Sequence, residues 1–135
     1  MGKKILNLRQ QRWMFMWNEW LKDNLCEPLE QLCTYDNEMT SHGHLHFFES
    51  FENDDNLNYF LNILYEELPE KISENLKKAY LIYKKYKSEI KNGVEYLPLE
   101  EENIFLEVDE FYYNNELLIY DNFIDYVISI ESYLK

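Results

Sequence analysis

The sequence has few of the residues that form tight turns, with three glycines and three prolines in 135 residues. A many-stranded β fold needs turn signals about every 8–12 residues, so this scarcity argues against a sandwich or a barrel. Hydrophobic residues make up 46% of the chain, which is enough to build a buried core despite the charge. We therefore expect one domain, residues 1–135, of long helices joined by few turns.

The chain also lacks long apolar runs and has only two cysteines. No stretch of about eighteen apolar residues is present, so we expect no membrane span. The N-terminal segment is basic but has no apolar run long enough for a secretory signal. Cys26 and Cys33, seven positions apart on a helix, would lie about 10 Å apart, too far for a disulfide. These features predict a cytoplasmic protein with two reduced thiols.

Familiar catalytic motifs are missing as well. The chain contains no glycine-rich phosphate loop, no Gly-x-Ser-x-Gly elbow, no dinucleotide fingerprint, no His-Glu-x-x-His and no paired Cys-x-x-Cys. Carboxylates are plentiful, but none is singled out by its spacing. We therefore expect neither an enzyme nor a cofactor.

Basic residues are scarce and unevenly placed. Acids outnumber bases 26 to 13, and residues 36–70 contain nine acids but no lysine or arginine. Such a chain should repel nucleic acid and attract a basic protein surface. The candidate partner-binding carboxylates are Glu49, Glu52, Asp54, Asp55, Glu66, Glu67 and Glu70 in one block and Glu100, Glu101 and Glu102 in a second, which Glu107, Asp109 and Glu110 continue.

Apolar periodicity predicts helices over most of the chain. The predicted helices cover residues 9–24, 28–41, 45–51, 57–68, 70–91, 104–114 and 123–134. Residues 94–103 are predicted to be a loop around Pro98, and a strand at 117–120 is an alternative because β-branched and aromatic residues are dense there. The expected fold is an all-α, single-domain bundle of about five to seven helices.

Residues 35–50, which we call the hinge, contain all three histidines and Gly43. The pattern predicts a helix, a glycine turn and a second short helix. His42, His44 and His46 are weak metal-ligand candidates, because alternate residues share a face on a strand but not on a helix. In the alternative interpretation they line a turn and bond to its backbone.

The hinge resembles a family signature, Glu-Val-x-Asn-Gly-Gly-Phe-x-Gln-Phe-Phe-x-Asn. The residues that carry the resemblance are Tyr35, Asp36, Glu38, Met39, Gly43, Phe47 and Phe48, with Leu106, Asp109, Phe111 and Tyr112 further along. The signature belongs to a bacterial family typified by a DNA-mimic protein, whose domain was long catalogued as of unknown function. The resemblance is strongest over residues 20–134.

The resemblance implies a small helical protein whose carboxylates imitate DNA phosphates, which occur about every 1.7 Å along the duplex axis. Such a protein would occupy the DNA-binding face of a basic partner, for example a transcription regulator. Glu38, Gly43, Phe47 and Phe48 would be structural, with the glutamate accepting hydrogen bonds from backbone amides of the glycine turn.

Three alternatives stay open at this stage. The chain could be an immunity or antitoxin-type protein that neutralises a basic nuclease toxin, because such a partner would also be attracted by the acidic residues. A metal-dependent enzyme would use the three histidines. A homodimer would form through the aromatic C-terminal segment, since tyrosines suit an interface and a core equally well.

Overall fold

The computed structural model describes residues 8–91 and 98–135, with side chains described for 8–89 and 104–135. Those residues form seven α-helices and a short 3-10 helix, and the single β-type pairing among them is an isolated bridge between Leu25 and Leu134. The α-helices are α1 Leu8–Leu21, α2 Leu29–Ser41, α3 His44–Glu49, α4 Asp54–Glu67, α5 Glu70–Lys91, α6 Pro98–Asn114 and α7 Glu116–Ile128, and the 3-10 helix is Ile130–Tyr133. The predicted all-α bundle is confirmed. Among these helices, none has the length and apolar character needed to cross a membrane.

Helix α4 shows how local sequence sets the ends of an element. The side chain of Asn53 accepts a hydrogen bond from the backbone N–H of Asn56 at 2.8 Å, which satisfies a donor of the first turn. Leu57, Leu61 and Leu64 recur at helical spacing and are buried. The helix ends before Leu68, which is extended because the residue preceding a proline disfavours helical geometry.

The core is unusually aromatic. Helix α5 packs against α3, α4 and α6, helix α2 packs against α1, α3, α4 and α6, and α1 packs against α7. The largest fully buried side chains include Tyr35, Phe47, Phe48, Tyr112 and Phe123. Large aromatic side chains each bury about 150–250 Å², so they dominate the packing energy. Phe47 and Phe48 of the hinge therefore help to join α3 to the rest of the bundle.

Two local predictions are wrong. Residues 98–103 of the segment predicted as a loop begin α6, because Pro98 occupies its first position, where a missing N–H costs nothing. Residues 94–97 of that segment lie outside the described residues. The alternative strand at 117–120 lies within α7, whose buried Ile119, Phe123 and Val127 recur every four residues. The side chains of Glu100, Glu101 and Glu102 lie outside the described residues.

Both cysteines are free thiols, one buried and one half-buried. Cys33 has no exposed surface, and burial, with a smaller contribution from Asp36, raises the pKa of its thiol. Because the thiolate is the reactive form, we expect iodoacetamide to label Cys26 in the native protein and Cys33 only after unfolding. Mass spectrometry of peptides labelled with and without guanidinium checks this. Native labelling of both cysteines at one rate would contradict it.

Candidate functional site

The glycine turn between α2 and α3 is built from backbone hydrogen bonds and one special conformation. The carbonyl of Glu38 accepts hydrogen bonds from the N–H groups of His42 at 2.8 Å and Gly43 at 3.0 Å, which ends α2. Gly43 has φ of +106° and ψ of −176°, a region that essentially only glycine occupies. Helix α3 therefore starts in a new direction, as the hinge prediction requires.

The carboxylate that holds this turn is Asp109 of α6. Its Oδ1 accepts a hydrogen bond from the backbone N–H of His44 at 3.0 Å and lies 2.7 Å from Nδ1 of the same histidine. A Cβ added to Gly43 would lie only 2.7 Å from Oδ2 of Asp109, so glycine also permits the close approach. The role predicted for Glu38 thus belongs to Asp109, and the Glu38 side chain bonds to histidine instead.

His44 is the centre of a buried chain of hydrogen bonds. Its Nε2 lies 2.7 Å from the hydroxyl of Tyr35, and both side chains are fully buried. A carboxylate can only accept, so Nδ1 donates to Asp109 and Nε2 accepts the hydrogen bond of Tyr35. Burial lowers the pKa of His44, although the hydrogen bond to Asp109 opposes that shift. The arrangement ties α2, α3 and α6 together, and the enclosed rings do not meet solvent.

Two tyrosines of α6 form hydrogen bonds with the last turns of α2. The hydroxyl of Tyr112 donates a hydrogen bond to Asp36, and the hydroxyl of Tyr113 donates to the backbone carbonyl of Met39 at 2.7 Å. Burial raises the pKa of the Tyr112 hydroxyl, and it also raises the pKa of the Asp36 carboxyl. The hydroxyl proton therefore stays on the tyrosine, and the hinge is anchored from one side by α6.

The other two histidines converge on an exposed side of the hinge. Oε2 of Glu38 lies 2.7 Å from Nδ1 of His46 and 3.6 Å from Nδ1 of His42. The two imidazole rings stack with their centroids 3.9 Å apart and their planes 20° apart. Each histidine side chain is 53% exposed, whereas Glu38 is 20% exposed. The structure therefore brings together two of the three histidine candidates, with a glutamate, and places His44 elsewhere.

Most of the predicted partner-binding carboxylates are exposed. Glu49, Glu52, Asp54, Asp55, Glu66 and Glu70 are exposed, and no ion pair joins them to any other described residue. Glu67 differs, because it is half-buried and accepts a hydrogen bond from the hydroxyl of Tyr126. Asp55 and Glu66 are eleven residues apart, which places them on one face of α4 about 16 Å apart.

Two lysines line a groove together with two of these exposed carboxylates. An open groove of about 810 Å³ runs between the α3–α4 corner and α5. Its lining residues are Glu49, Phe51, Asp54, Tyr80, Tyr83, Lys84, Tyr86, Lys87 and Ser88. Glu49 and Asp54 thus share a groove with two ammonium groups. The acidic surface is bounded on this side rather than continuous around the molecule.

Comparison of the chain with protein-family models, with curated proteins and with solved structures finds no match. The resemblance to the DNA-mimic family therefore stays an expectation from the sequence. Any function must be argued from the geometry of the hinge and from the distribution of charge.

Proposed function

We propose that this chain is a non-enzymatic binding protein that contacts a basic protein through its acidic surface. That surface, from here on, means the exposed carboxylates of α3, α4, the loop between them and the start of α5. Its members are Glu49, Glu52, Asp54, Asp55, Glu66 and Glu70. The observation that supports the proposal is that none of these six has an ion-pair partner among the described residues.

Unpaired carboxylates of this kind repel one another, and the repulsion is relieved when a partner supplies lysine or arginine. Charges beyond about 8 Å are largely screened at physiological ionic strength, so the partner must bring its cations close. The DNA-binding face of a transcription regulator meets this requirement. On that proposal the carboxylates take the place of phosphates.

The first test is a pull-down from a lysate of the source organism at low salt, followed by release at high salt. A DNA-binding regulator released by salt supports the DNA-mimic proposal, whereas a basic nuclease toxin would favour the immunity-type alternative. Retention of the partner unchanged at high salt would contradict an electrostatic interface. If the chain also prevents the regulator from binding its own DNA site, that result supports the DNA-mimic proposal directly.

Removing charges from α4 should weaken binding to the captured partner more than removing the same number of charges from α7. The double variant Asp55→Asn with Glu66→Gln removes two charges from one helical face. If each contact contributes about 0.5 kcal/mol, affinity should fall about fivefold. The matched control is Asp121→Asn with Asp125→Asn, which removes two exposed charges from α7. Titration calorimetry at two salt concentrations measures both, and equal losses would show that only net charge matters.

A further inference from the structure

We propose that Glu38, His42 and His46 bind one divalent transition-metal ion of the Zn²⁺ class on the exposed side of the hinge. Their ligand atoms all lie within 4.8 Å of one another. Two imidazoles and one carboxylate are the ligand set of many zinc and non-haem iron sites. The proposal is independent of the acidic-surface function, since it concerns another set of side chains.

The distances are close to those that a tetrahedral ion needs. With metal–ligand bonds of about 2.0–2.1 Å, ligand atoms in a tetrahedral zinc site lie about 3.3 Å apart. Oε2 of Glu38 lies 2.7 Å from one Nδ1 and 3.6 Å from the other, which brackets that value. Both histidine side chains are half-exposed, so the stacked rings have room to rotate and aim one nitrogen each at a shared ion.

The hinge holds these three residues in place through its buried side. Glu38 lies in the last turn of α2, His42 caps that helix, and His46 lies in α3. The two helices are fixed relative to each other by the turn at Gly43 and by the hydrogen bonds of Asp109. The ligands therefore stand on a preorganised turn, which reduces the ordering cost of binding an ion.

The electrostatic surroundings also favour a cation. The carboxyl end of α2 carries the negative end of its helix dipole, next to His42. Residues 36–70 include no lysine or arginine, so no ammonium from this stretch competes for Glu38. The carboxylate has histidine nitrogens as its side-chain partners within the described part of the chain. A divalent ion would replace these bonds with stronger ones.

Three protein ligands leave one tetrahedral position open towards solvent. Water can fill it, as in zinc sites with three protein ligands. Because α2 and α3 both contribute ligands, the ion would clamp the exposed side of the hinge as Asp109 clamps the buried side. An ion that binds only the folded chain raises its stability by mass action, so Zn²⁺ should raise Tm.

The test is calorimetric titration of the full, chelator-treated chain with Zn²⁺, together with Co²⁺ as a spectroscopic probe. We expect one ion per chain and intense visible Co²⁺ absorption typical of four-coordination. Loss of an outer-shell partner already costs about 10–100-fold in metal affinity, so His42→Ala and His46→Ala should each cost more than tenfold. Glu38→Gln should also weaken metal binding, whereas Asp121→Asn, an exposed control on α7, should not.

Circular dichroism checks that the variants fold. Wild-type stabilisation by Zn²⁺ that disappears in the double variant His42→Ala with His46→Ala supports the site. Equal binding of Zn²⁺ by the wild type and that double variant would overturn it. Absence of one-to-one binding in the wild type would overturn it equally.

Discussion

Replacing Gly43 with alanine is expected to lower the free energy of unfolding by about 3 kcal/mol, one of the largest single effects in this chain. Two causes act together. At φ of +106° and ψ of −176° any side chain strains the backbone, and the new Cβ would lie 2.7 Å from Oδ2 of Asp109. Because Asp109 also holds His44, moving it aside loosens the buried hydrogen bonds of the hinge.

Urea unfolding followed by circular dichroism measures this loss, and for a domain of this size it corresponds to a fall in Tm of about 10 °C. Ser41→Ala is the control, since Ser41 is exposed at the end of α2 and such changes usually stay within about 0.5 kcal/mol. Equal stability of the Gly43→Ala and Ser41→Ala variants would show that the turn relaxes without cost.

The sequence predicts the helices and the hinge because their signals are local. Leu57, Leu61 and Leu64 repeat at helical spacing, and Asn53 caps the helix that they build. Gly43 ends one helix and permits the next to start in another direction. The prediction of a loop is wrong from Pro98 onwards, because a proline followed by a run of glutamates is typical of a break between helices. Here the proline occupies the first helical position and begins α6.

Local sequence patterns do not identify contacts between residues that are far apart in the chain. Periodicity assigns a residue to a face but does not say which distant face it meets. Glu38 was the nearest acid to the glycine turn, so local reasoning gave it the role that Asp109 performs from 65 residues away. The family signature did include Asp109 and Tyr112, but a signature does not state contacts. Only the packing of α6 against α2 and α3 brings them to the hinge.

The candidate metal ligands illustrate the same limit at short range. The sequence gives three alternating histidines and no means of choosing among them. The turn at Gly43 sends His44 into the core and leaves His42 and His46 on the exposed side. Glu38 joins them because it precedes His42 by one helical turn. In an uninterrupted helix Glu38, His42 and His46 would share one face, but Glu38 and His46 would lie about 12 Å apart along the axis. The turn at Gly43 brings the Glu38 carboxylate to within 2.7 Å of Nδ1 of His46.

Replacing Asp109 with alanine is expected to cost about 3 kcal/mol, because a buried donor left without an acceptor costs about 1–3 kcal/mol and this change orphans two. They are the backbone N–H and the ring Nδ1–H of His44, a residue with no exposed surface. Asp109→Asn should cost less, since the amide oxygen can still accept. Glu107→Ala, an exposed change on the same helix, should have little effect.

Urea unfolding of the three variants gives this order, and NMR of the imidazole nitrogens reports whether His44 keeps its tautomer. Asp109→Ala should change the His44 signals, whereas Glu107→Ala should not. If Asp109→Ala and Glu107→Ala unfold at the same urea concentration, the hydrogen bonds to His44 contribute nothing and the hinge is held by its aromatic packing alone.

The two large effects should not add, because Gly43 and Asp109 act through one contact. Alanine at position 109 removes the oxygen that a Cβ at position 43 would strike, so Gly43→Ala should cost less in that background. The backbone strain at position 43 remains in either case. We therefore expect a double-mutant cycle with a coupling of about 1 kcal/mol or more, as for other residues in direct contact. Strict additivity would assign the entire requirement for glycine to its backbone conformation, whereas coupling would show that part of it comes from the close approach of Asp109.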